Sequence, residues 1–253
     1  METLYMGADK STVGEYVLFS GDPWRVETVA QYLENPQKVA FLREFHTYTG
    51  TYKGVTITVT STGIGAPSAA IAMEEMYQCG MKVALRMGTV MALDDSMLGH
   101  FVIPIGSMRR ESTSHTYVEA SYPAVADVEL VNTLNQVVAE AGKRYQNGIS
   151  CTMEGFYTQM HDSRLSKERG IDMQETFDAL KALDVSGIDM ESACMLTVGR
   201  LMGVKTAVLT VVTVLENLKE TLVGQARKDA EELLCRLALE GLSQFAKKEA
   251  VRQ

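Results

Sequence analysis

Proline, cysteine and linker-like segments are scarce in this sequence. Only 5 prolines occur among 253 residues, and no stretch rich in serine, glycine and proline separates one part of the chain from another. We therefore expect residues 1–253 to form a single domain. The 4 cysteines lie far apart, which excludes a CxxC metal or redox motif and indicates free thiols in a reducing compartment.

Long hydrophobic runs and an excess of positive charge are also missing. The longest apolar stretch, around residues 207–215, is interrupted by threonines and is far shorter than the roughly 20 residues that span a bilayer. The opening METLYMGADK lacks the basic-then-apolar pattern of a signal peptide. A formal net charge of −8 argues against binding nucleic acid through bulk charge. We expect a cytoplasmic protein with no membrane or nucleic-acid partner.

Strand-like and helix-like patterns alternate along the whole chain. Strands are predicted at residues 15–20, in a meander over 39–61, and at 82–87, 101–105, 147–151 and 205–215. A helix is predicted to begin at Pro23 with Asp22 as its cap and to continue to residue 33. Further helices are predicted at residues 68–79, 126–142, 175–183, 191–202 and 222–248. This alternation predicts an α/β protein with three α/β/α layers, in which helices cover both faces of a mixed, largely parallel central sheet.

Two segments at predicted strand ends carry arginine beside glycine. In Gly21–Arg25, glycine permits close approach of a ligand, the helix start attracts anions and Arg25 supplies a charged fork. The alternative is a capped helix with an exposed arginine. Arg86 ends an apolar strand, where a charge is costly unless paired or bound to an anion, and Gly88-Thr89 adds oxyanion donors. The alternative for Arg86 is a structural pair with a carboxylate.

Asp189-Met190-Glu191 lies where a predicted strand meets a helix. A carboxylate there can accept hydrogen bonds from the vicinal hydroxyls of a ribose, and a methionine can pack on the sugar. The alternative is a helix N-terminus that favours acidic residues. Gly63-Ile64-Gly65 fails the dinucleotide fingerprint, because Ser68 replaces the third glycine, and is interpreted as a tight turn.

Seven segments stand out in order along the chain: FSGDPWRVE (19–27), REFHTYTGTYKG (43–54), TVTSTGIGAPSAAIAMEEM (58–76), ALRMGTV (84–90), ASYPAVADVEL (120–130), EGFY (154–157) and GIDMES (187–192). Together they resemble the nucleoside phosphorylase-I family, in particular its uridine phosphorylase branch. The resemblance implies phosphorolysis of a nucleoside to a free base and ribose 1-phosphate. It implies phosphate binding by the glycine, arginines and threonine at Gly21, Arg25, Arg43, Arg86 and Thr89, with Arg43 supplied by the neighbouring subunit of a homo-oligomer.

The same resemblance also indicates which residues bind the sugar, the base and a cation. Arg86 and Glu191 become the candidate catalytic residues, and the ribose-binding candidates are Tyr5, Thr89, Met190 and Glu191. The base-binding candidates are Phe156 for stacking and Gln159 and Arg164 as hydrogen-bond donors. A monovalent cation, potassium, is expected between two subunits at Glu44, Ile64 and Ser68. No organic cofactor is expected.

Three departures from the family pattern all concern the base. Met91 replaces a glycine beside the base pocket, and the glutamine and arginine in 158–164 are out of the usual register. Residues 213–216 carry neither the Asn-Arg pair of uridine phosphorylases nor the aspartate of hexameric purine enzymes. The predicted substrate is uridine or a related pyrimidine nucleoside. The alternatives are a purine nucleoside phosphorylase and a relative that binds nucleoside with little or no turnover.

Overall fold

Alternating apolar residues in the first strand separate the two faces of the sheet. The computed structural model describes residues 2–252, so the ends of the predicted domain, residues 1 and 253, lie outside it. In the strand Tyr16–Ser20, Leu18 packs in one apolar cluster, whereas Val17 and Phe19 pack in another on the opposite face. This period of two is what an extended strand buried on both sides requires.

Twelve strands join into one sheet within residues 2–252. They are β1 (Tyr16–Ser20), β2 (Glu34–Leu42), β3 (Phe45–Tyr52), β4 (Val55–Ser61), β5 (Val83–Ala92), β6 (Phe101–Val102), β7 (Gly106–Arg110), β8 (Ala124–Val125), β9 (Tyr145–Gln146), β10 (Ile149–Met153), β11 (Val185–Asp189) and β12 (Lys205–Leu215). The main path runs β2-β3-β4-β1-β5-β11-β10-β7-β8, and β12 joins β5 to β6, which pairs with β9.

Most of the central pairings are parallel. Strand β1 runs parallel to β4 and β5, β12 runs parallel to β5, and β10 runs parallel to β7 and β11. The β2-β3-β4 meander and the short β5–β11 contact are antiparallel. The predicted mixed, largely parallel sheet is confirmed.

Helices cover both faces of this sheet. They are α1 (Pro23–Ala30), α2 (Ala66–Gln78), α3 (Val128–Glu140), α4 (Arg164–Glu168), α5 (Gln174–Ala182), α6 (Ser192–Leu201) and α7 (Gly224–Arg252). Helix α7 contacts α1 and α3 on one face, and α2 contacts α6 on the other, as the three-layer prediction requires. None of the helices between residues 2 and 252 is both long enough and apolar enough to cross a membrane.

Several strand boundaries differ from the sequence prediction. Strand β5 was predicted to end at Met87 but continues to Ala92, because β12 runs beside it from Lys205 to Leu215 and supplies hydrogen-bond partners beyond Arg86. Arg86 therefore lies inside a strand and not at its end. The strand predicted over residues 101–105 is only two residues long, and the meander begins at residue 34 instead of 39.

Candidate active site

A cavity of about 920 Å³ lies beside the carboxyl ends of β1, β5 and β11. Loops beyond these strand ends are where ligands collect in sheets of this kind. Nine of the predicted site residues line the cavity: Gly21, Arg25, Glu44, Ile64, Arg86, Thr89, Phe156, Met190 and Glu191. The sequence candidates from distant parts of the chain therefore share one site.

Arg25 extends from the start of α1 into the cavity. The carboxylate of Asp22 caps this helix by accepting a hydrogen bond from the backbone N–H of Trp24 at 2.9 Å, as predicted. The Arg25 side chain is 10% exposed, with Nη2 lying 3.3 Å from a carboxylate oxygen of Glu231 and Nη1 3.4 Å from Ser20 Oγ. Its Nε is buried without a hydrogen-bond partner. A buried donor of this kind is available to an anion.

Arg86 is 4% exposed and lies between two acidic side chains. Its Nε donates to Asp189 at 3.2 Å and its Nη2 donates to Glu191 at 2.5 Å, while Nη1 is buried without a partner. Burial alone would lower the pKa of Arg86, but the charges of Glu191 and Asp189 raise it above its ordinary value. Arg86 is therefore paired with carboxylates, which was the alternative interpretation of its sequence position. Its Nη1 nevertheless remains a free donor.

Gly88 lets the chain pass close to this guanidinium. A Cβ atom at Gly88 would lie 3.1 Å from Nη2 and 3.3 Å from Cζ of Arg86. Any larger residue would push against a side chain that is already held by two carboxylates. A side chain at position 88 would therefore require the Arg86 guanidinium to shift by a few tenths of an ångström.

Asp189 and Glu191 are both buried and both well supplied with hydrogen bonds. Asp189 accepts from Thr152 Oγ1 at 2.8 Å and from the backbone N–H of Ser192 at 3.1 Å. Glu191 Oε1 accepts from the backbone N–H of Gly65 at 2.6 Å. Burial raises the pKa of the Glu191 carboxyl above its usual value, although the Arg86 charge acts in the opposite direction. These contacts fix the Glu191 carboxylate at the cavity wall.

Arg43 and Tyr5 lie together and do not line the cavity. The Arg43 guanidinium carbon is 5.2 Å from the centre of the Tyr5 ring, a cation–π arrangement. Arg43 is exposed and occupies the tight turn between β2 and β3 with φ +54°. The structure does not bring either residue into the cavity of its own chain.

The two predicted base-reading donors are also absent from the cavity wall. Gln159 Oε1 accepts a hydrogen bond from the backbone N–H of Gly155 at 2.8 Å, so this side chain closes its own turn. The Arg164 side chain is 92% exposed and bonds to Glu168 at 2.7 Å on the surface of α4. Phe156 does line the cavity, with Tyr157 packed edge-on against it at 5.0 Å.

Twelve further residues line the cavity without being predicted site residues, and five of these also lie outside the sequence motifs discussed above or received no role there: Tyr157, Met160, Ile188, Val214 and Arg227. Ile188 directly precedes Asp189-Met190-Glu191, so its position in the chain is a usable signal. Arg227 pairs with Glu231 in α7, Nε to Oε1 at 2.8 Å. Such a pair four residues apart is common on exposed helices, and nothing in it indicates a site.

Glu44, Gly63 and Ser68 converge at one side of the cavity. Ser68 Oγ donates to Glu44 Oε1 at 3.0 Å, and Ser68 also bonds to the carbonyl oxygen of Thr62. A Cβ atom at Gly63 would lie 2.8 Å from Glu44 Cγ. The predicted cation-site residues Glu44 and Ser68 are therefore in contact, and Ile64 follows Gly63 on the cavity wall.

Comparison with known proteins identifies the family. The sequence profile of the Phosphorylase superfamily matches residues 15–243. This chain belongs to the Phosphorylase superfamily. The resemblance inferred from the sequence is confirmed.

Three members of the superfamily illustrate the similarity. The chain is 37% identical over 194 residues to the uridine phosphorylase of Thermococcus kodakarensis, covering 76% of this chain and 70% of that relative. It is 30% identical over 205 residues to the guanosine phosphorylase of Halorubrum lacusprofundi, covering 81% of this chain and 80% of that relative. The crystal structure of uridine phosphorylase from Vibrio fischeri superposes with a TM-score of 0.86 at 30% identity and covers 96% of this chain and 98% of that one.

Proposed function

We propose that this protein cleaves uridine or a related pyrimidine nucleoside with inorganic phosphate, giving the free base and ribose 1-phosphate. One observation carries the proposal. A single cavity combines arginine donors without partners, on Arg25 and Arg86, with the held carboxylate of Glu191 and the aromatic ring of Phe156. These groups suit phosphate, ribose and base respectively. The uridine phosphorylases among the relatives support this assignment.

The reaction needs positioning and charge, and no side-chain nucleophile. Arg25 and Arg86 hold phosphate below the anomeric carbon, and Glu191 accepts hydrogen bonds from the ribose hydroxyls. The C–N bond breaks and its electron pair leaves with the base, while a phosphate oxygen forms the new C–O bond to the anomeric carbon. The sugar passes through a cation-like state that the phosphate dianion stabilises.

A purine substrate is the rival proposal, and one relative is a guanosine phosphorylase. The resemblance places the acid of the hexameric purine enzymes within residues 213–216, where Val214 lines the cavity. An apolar side chain cannot protonate a purine nitrogen. Uracil can leave as an anion without that proton, so the cavity favours a pyrimidine. The pocket also retains its arginines and Glu191, which argues against a relative that only binds nucleoside.

The first prediction is that uracil forms from uridine only when inorganic phosphate is present. A nucleoside hydrolase would instead need a base that activates water and would not need anion-binding arginines. The measurement is uracil release, followed by ultraviolet absorbance, with phosphate present and with phosphate replaced by chloride. Uracil release at the same rate without phosphate would contradict the proposal, as would an absence of turnover for every nucleoside tested.

We also propose that the protein is a homo-oligomer whose sites are shared across a dimer. Strand β2 lies at one edge of the sheet and leaves Phe41 and Leu42 exposed, which suits burial against a second copy. Arg43 follows them directly and is exposed beside Tyr5. In this arrangement Arg43 reaches the phosphate and Tyr5 the ribose of the neighbouring subunit.

The residues Glu44, Ile64 and Ser68 fit a monovalent cation, and we propose potassium as its identity. They offer a carboxylate, a main-chain carbonyl and a hydroxyl, which are oxygen ligands of the kind that a hard cation prefers. The Ser68 hydroxyl already contacts Glu44 at 3.0 Å, so the two ligands are close enough to share an ion. A cation here would neutralise Glu44 at the edge of the proposed phosphate site.

The second prediction concerns Glu231, whose carboxylate lies between Arg25 and Arg227. In the Glu231→Gln variant the amide cannot hold both guanidinium groups, so Arg25 loses its position. We expect the KM for phosphate to rise by about tenfold, the equivalent of one charge-assisted hydrogen bond, with little change in the KM for uridine. Steady-state kinetics with each substrate varied in turn measures both values.

The matched control is Glu232→Gln, which removes a neighbouring carboxylate that bonds to Tyr32 and does not line the cavity. We expect both of its KM values to stay near those of the unmodified protein. Equal changes in the two variants would contradict a positioning role for Glu231.

A further inference from the structure

The cavity has a charged side and an apolar side. Besides Phe156 and Met190, its apolar side presents Met91, Met160, Ile188 and Val214. Met91 is 2% exposed, and Met160 and Ile188 are also buried, so this surface is the deep wall of the cavity. The charged groups described above lie at the proposed phosphate and ribose positions. The proposed base position is therefore apolar at its inner end.

Behind this wall lies an apolar cluster. Met91 packs in one cluster with Met153, Phe177 and Cys151. Burial raises the pKa of the Cys151 thiol to about 12, so it stays neutral and acts as a small apolar group. An inserted base therefore meets methionine and aliphatic side chains backed by an apolar core.

Apart from Thr89, which is assigned to phosphate and ribose, the side chains that could read the polar edge of a base are engaged elsewhere or partly exposed to solvent. Gln159 is bonded to Gly155, and Arg164 is bonded to Glu168 on the surface. Tyr157 is 60% exposed, and Arg227 is half-exposed with its Nε bonded to Glu231. Hydrogen bonds made to such exposed groups discriminate weakly, because water replaces them at little cost.

We propose that this site selects its base by apolar contact at the methionine wall and not by hydrogen bonds to the ring. The substrate class is then pyrimidine nucleosides that carry an apolar group on the ring, with a 5-alkyluracil base preferred to uracil. This inference rests on the proposed function and names the substrate within it. Methionine side chains suit such a wall, because the flexible thioether adapts to substituents and contacts aromatic rings favourably.

Two consequences distinguish this mode of selection from recognition by hydrogen bonds. One buried methyl group should tighten binding roughly fourfold, the equivalent of about 0.8 kcal/mol. Exchanging the 4-oxo group of uracil for the 4-amino group of cytosine should change binding by less than roughly tenfold. A site that hydrogen-bonds the ring edge would reject the wrong group by several orders of magnitude.

The experiment is calorimetric titration of the full-length protein with uridine, 5-methyluridine and cytidine, in a phosphate-free buffer containing sulfate. Sulfate resembles phosphate in charge and shape, and without phosphate there is no phosphorolysis. We expect 5-methyluridine to bind about four times more tightly than uridine, and cytidine to bind within about tenfold of uridine. Binding of 5-methyluridine no tighter than uridine would overturn the proposal. So would cytidine binding more than a hundredfold weaker, or no binding of any of the three.

Two variants test the wall directly. Met91→Ala removes the side chain that lines the cavity, and the preference for 5-methyluridine should fall towards parity. Met153→Ala removes a methionine of the same cluster that is buried but does not line the cavity, so its preference should remain about fourfold. An unchanged preference in Met91→Ala would overturn the assignment of the wall.

These binding ratios are independent of the proposed reaction. Failure to convert any nucleoside with phosphate would contradict the proposed function and leave the binding preference intact. Phosphate-dependent conversion of uridine together with equal or weaker binding of 5-methyluridine would contradict only the inference about the base.

Discussion

Replacing Arg86 by alanine is expected to lower kcat/KM for phosphate by roughly a hundred- to a thousandfold, the usual effect of removing one buried donor to a developing or bound oxyanion. Nη1 of Arg86 is buried without a partner and is the donor we assign to phosphate. Because Arg86 also holds Glu191, uridine binding should weaken too, but by less. Steady-state kinetics with phosphate and uridine varied separately gives the two effects.

The Arg86→Ala variant should also be less stable. It leaves the buried carboxylates of Asp189 and Glu191 without their cation, a change that costs about 3–5 kcal/mol in the free energy of unfolding. Circular dichroism and a denaturant titration show how much of the variant is folded at the assay temperature. Arg86→Lys keeps the charge and should recover part of the activity, since a point charge lacks the planar fork of a guanidinium.

Arg109→Ala provides the control for loss of a structural arginine. Arg109 donates to Ser114 and to backbone carbonyl oxygens, and it does not line the cavity. We expect its KM for phosphate to stay unchanged in the folded fraction. An Arg86→Ala variant that is folded and keeps the original phosphate dependence would show that Arg86 is only a structural pair for the two carboxylates.

Mixing two inactive variants should restore activity if the site is shared between subunits. Arg43→Ala and Arg86→Ala homomers each lack one phosphate ligand at every site, so both should be nearly inactive. In a mixed dimer one site carries both changes and the other carries neither. After co-expression of differently tagged chains, random mixing should therefore return up to about a quarter of the unmodified activity, and purification of mixed dimers through both tags in turn should raise that ceiling to about half.

A mixed preparation that stays inactive would contradict the proposal that the site is shared between subunits. Purification through both tags proves that the two chains are in one assembly, so absence of recovery would mean that Arg43 acts in its own subunit or not at all. The position of Arg43 favours recovery, because it is exposed in the β2–β3 turn and is absent from the cavity of its own chain.

The sequence predicted the sheet well where apolar residues form strands buried on both faces. Strands β1 and β12 were predicted to within one residue because their apolar runs have clear ends. Strand β7, with the sequence GSMRR, has no such run and was not predicted. Its strand conformation depends on pairing with β8 and β10, which come later in the chain and which its local sequence does not reveal.

Sequence motifs pointed to the cavity where charged residues lie beside glycine in short segments, and gave no signal where contacts join distant segments. Arg25, Arg86 and Glu191 were found from glycine-flanked charges at strand ends. The link from Arg25 to Glu231 spans about 200 residues, and Glu231 lies in an ordinary helical pattern. Gln159 and Arg164 do not line the cavity, because local contacts, to Gly155 and within α4, satisfy their side chains.

The most direct test of the central claim is the fate of phosphate itself. Uridine and an equal amount of inorganic phosphate are incubated with the protein, and the products are followed by phosphorus-31 nuclear magnetic resonance and by absorbance of the base. The proposed reaction predicts that the phosphate resonance is replaced by that of ribose 1-phosphate, with one equivalent formed for each uracil released. Uracil release accompanied by free ribose and an unchanged phosphate resonance would contradict it.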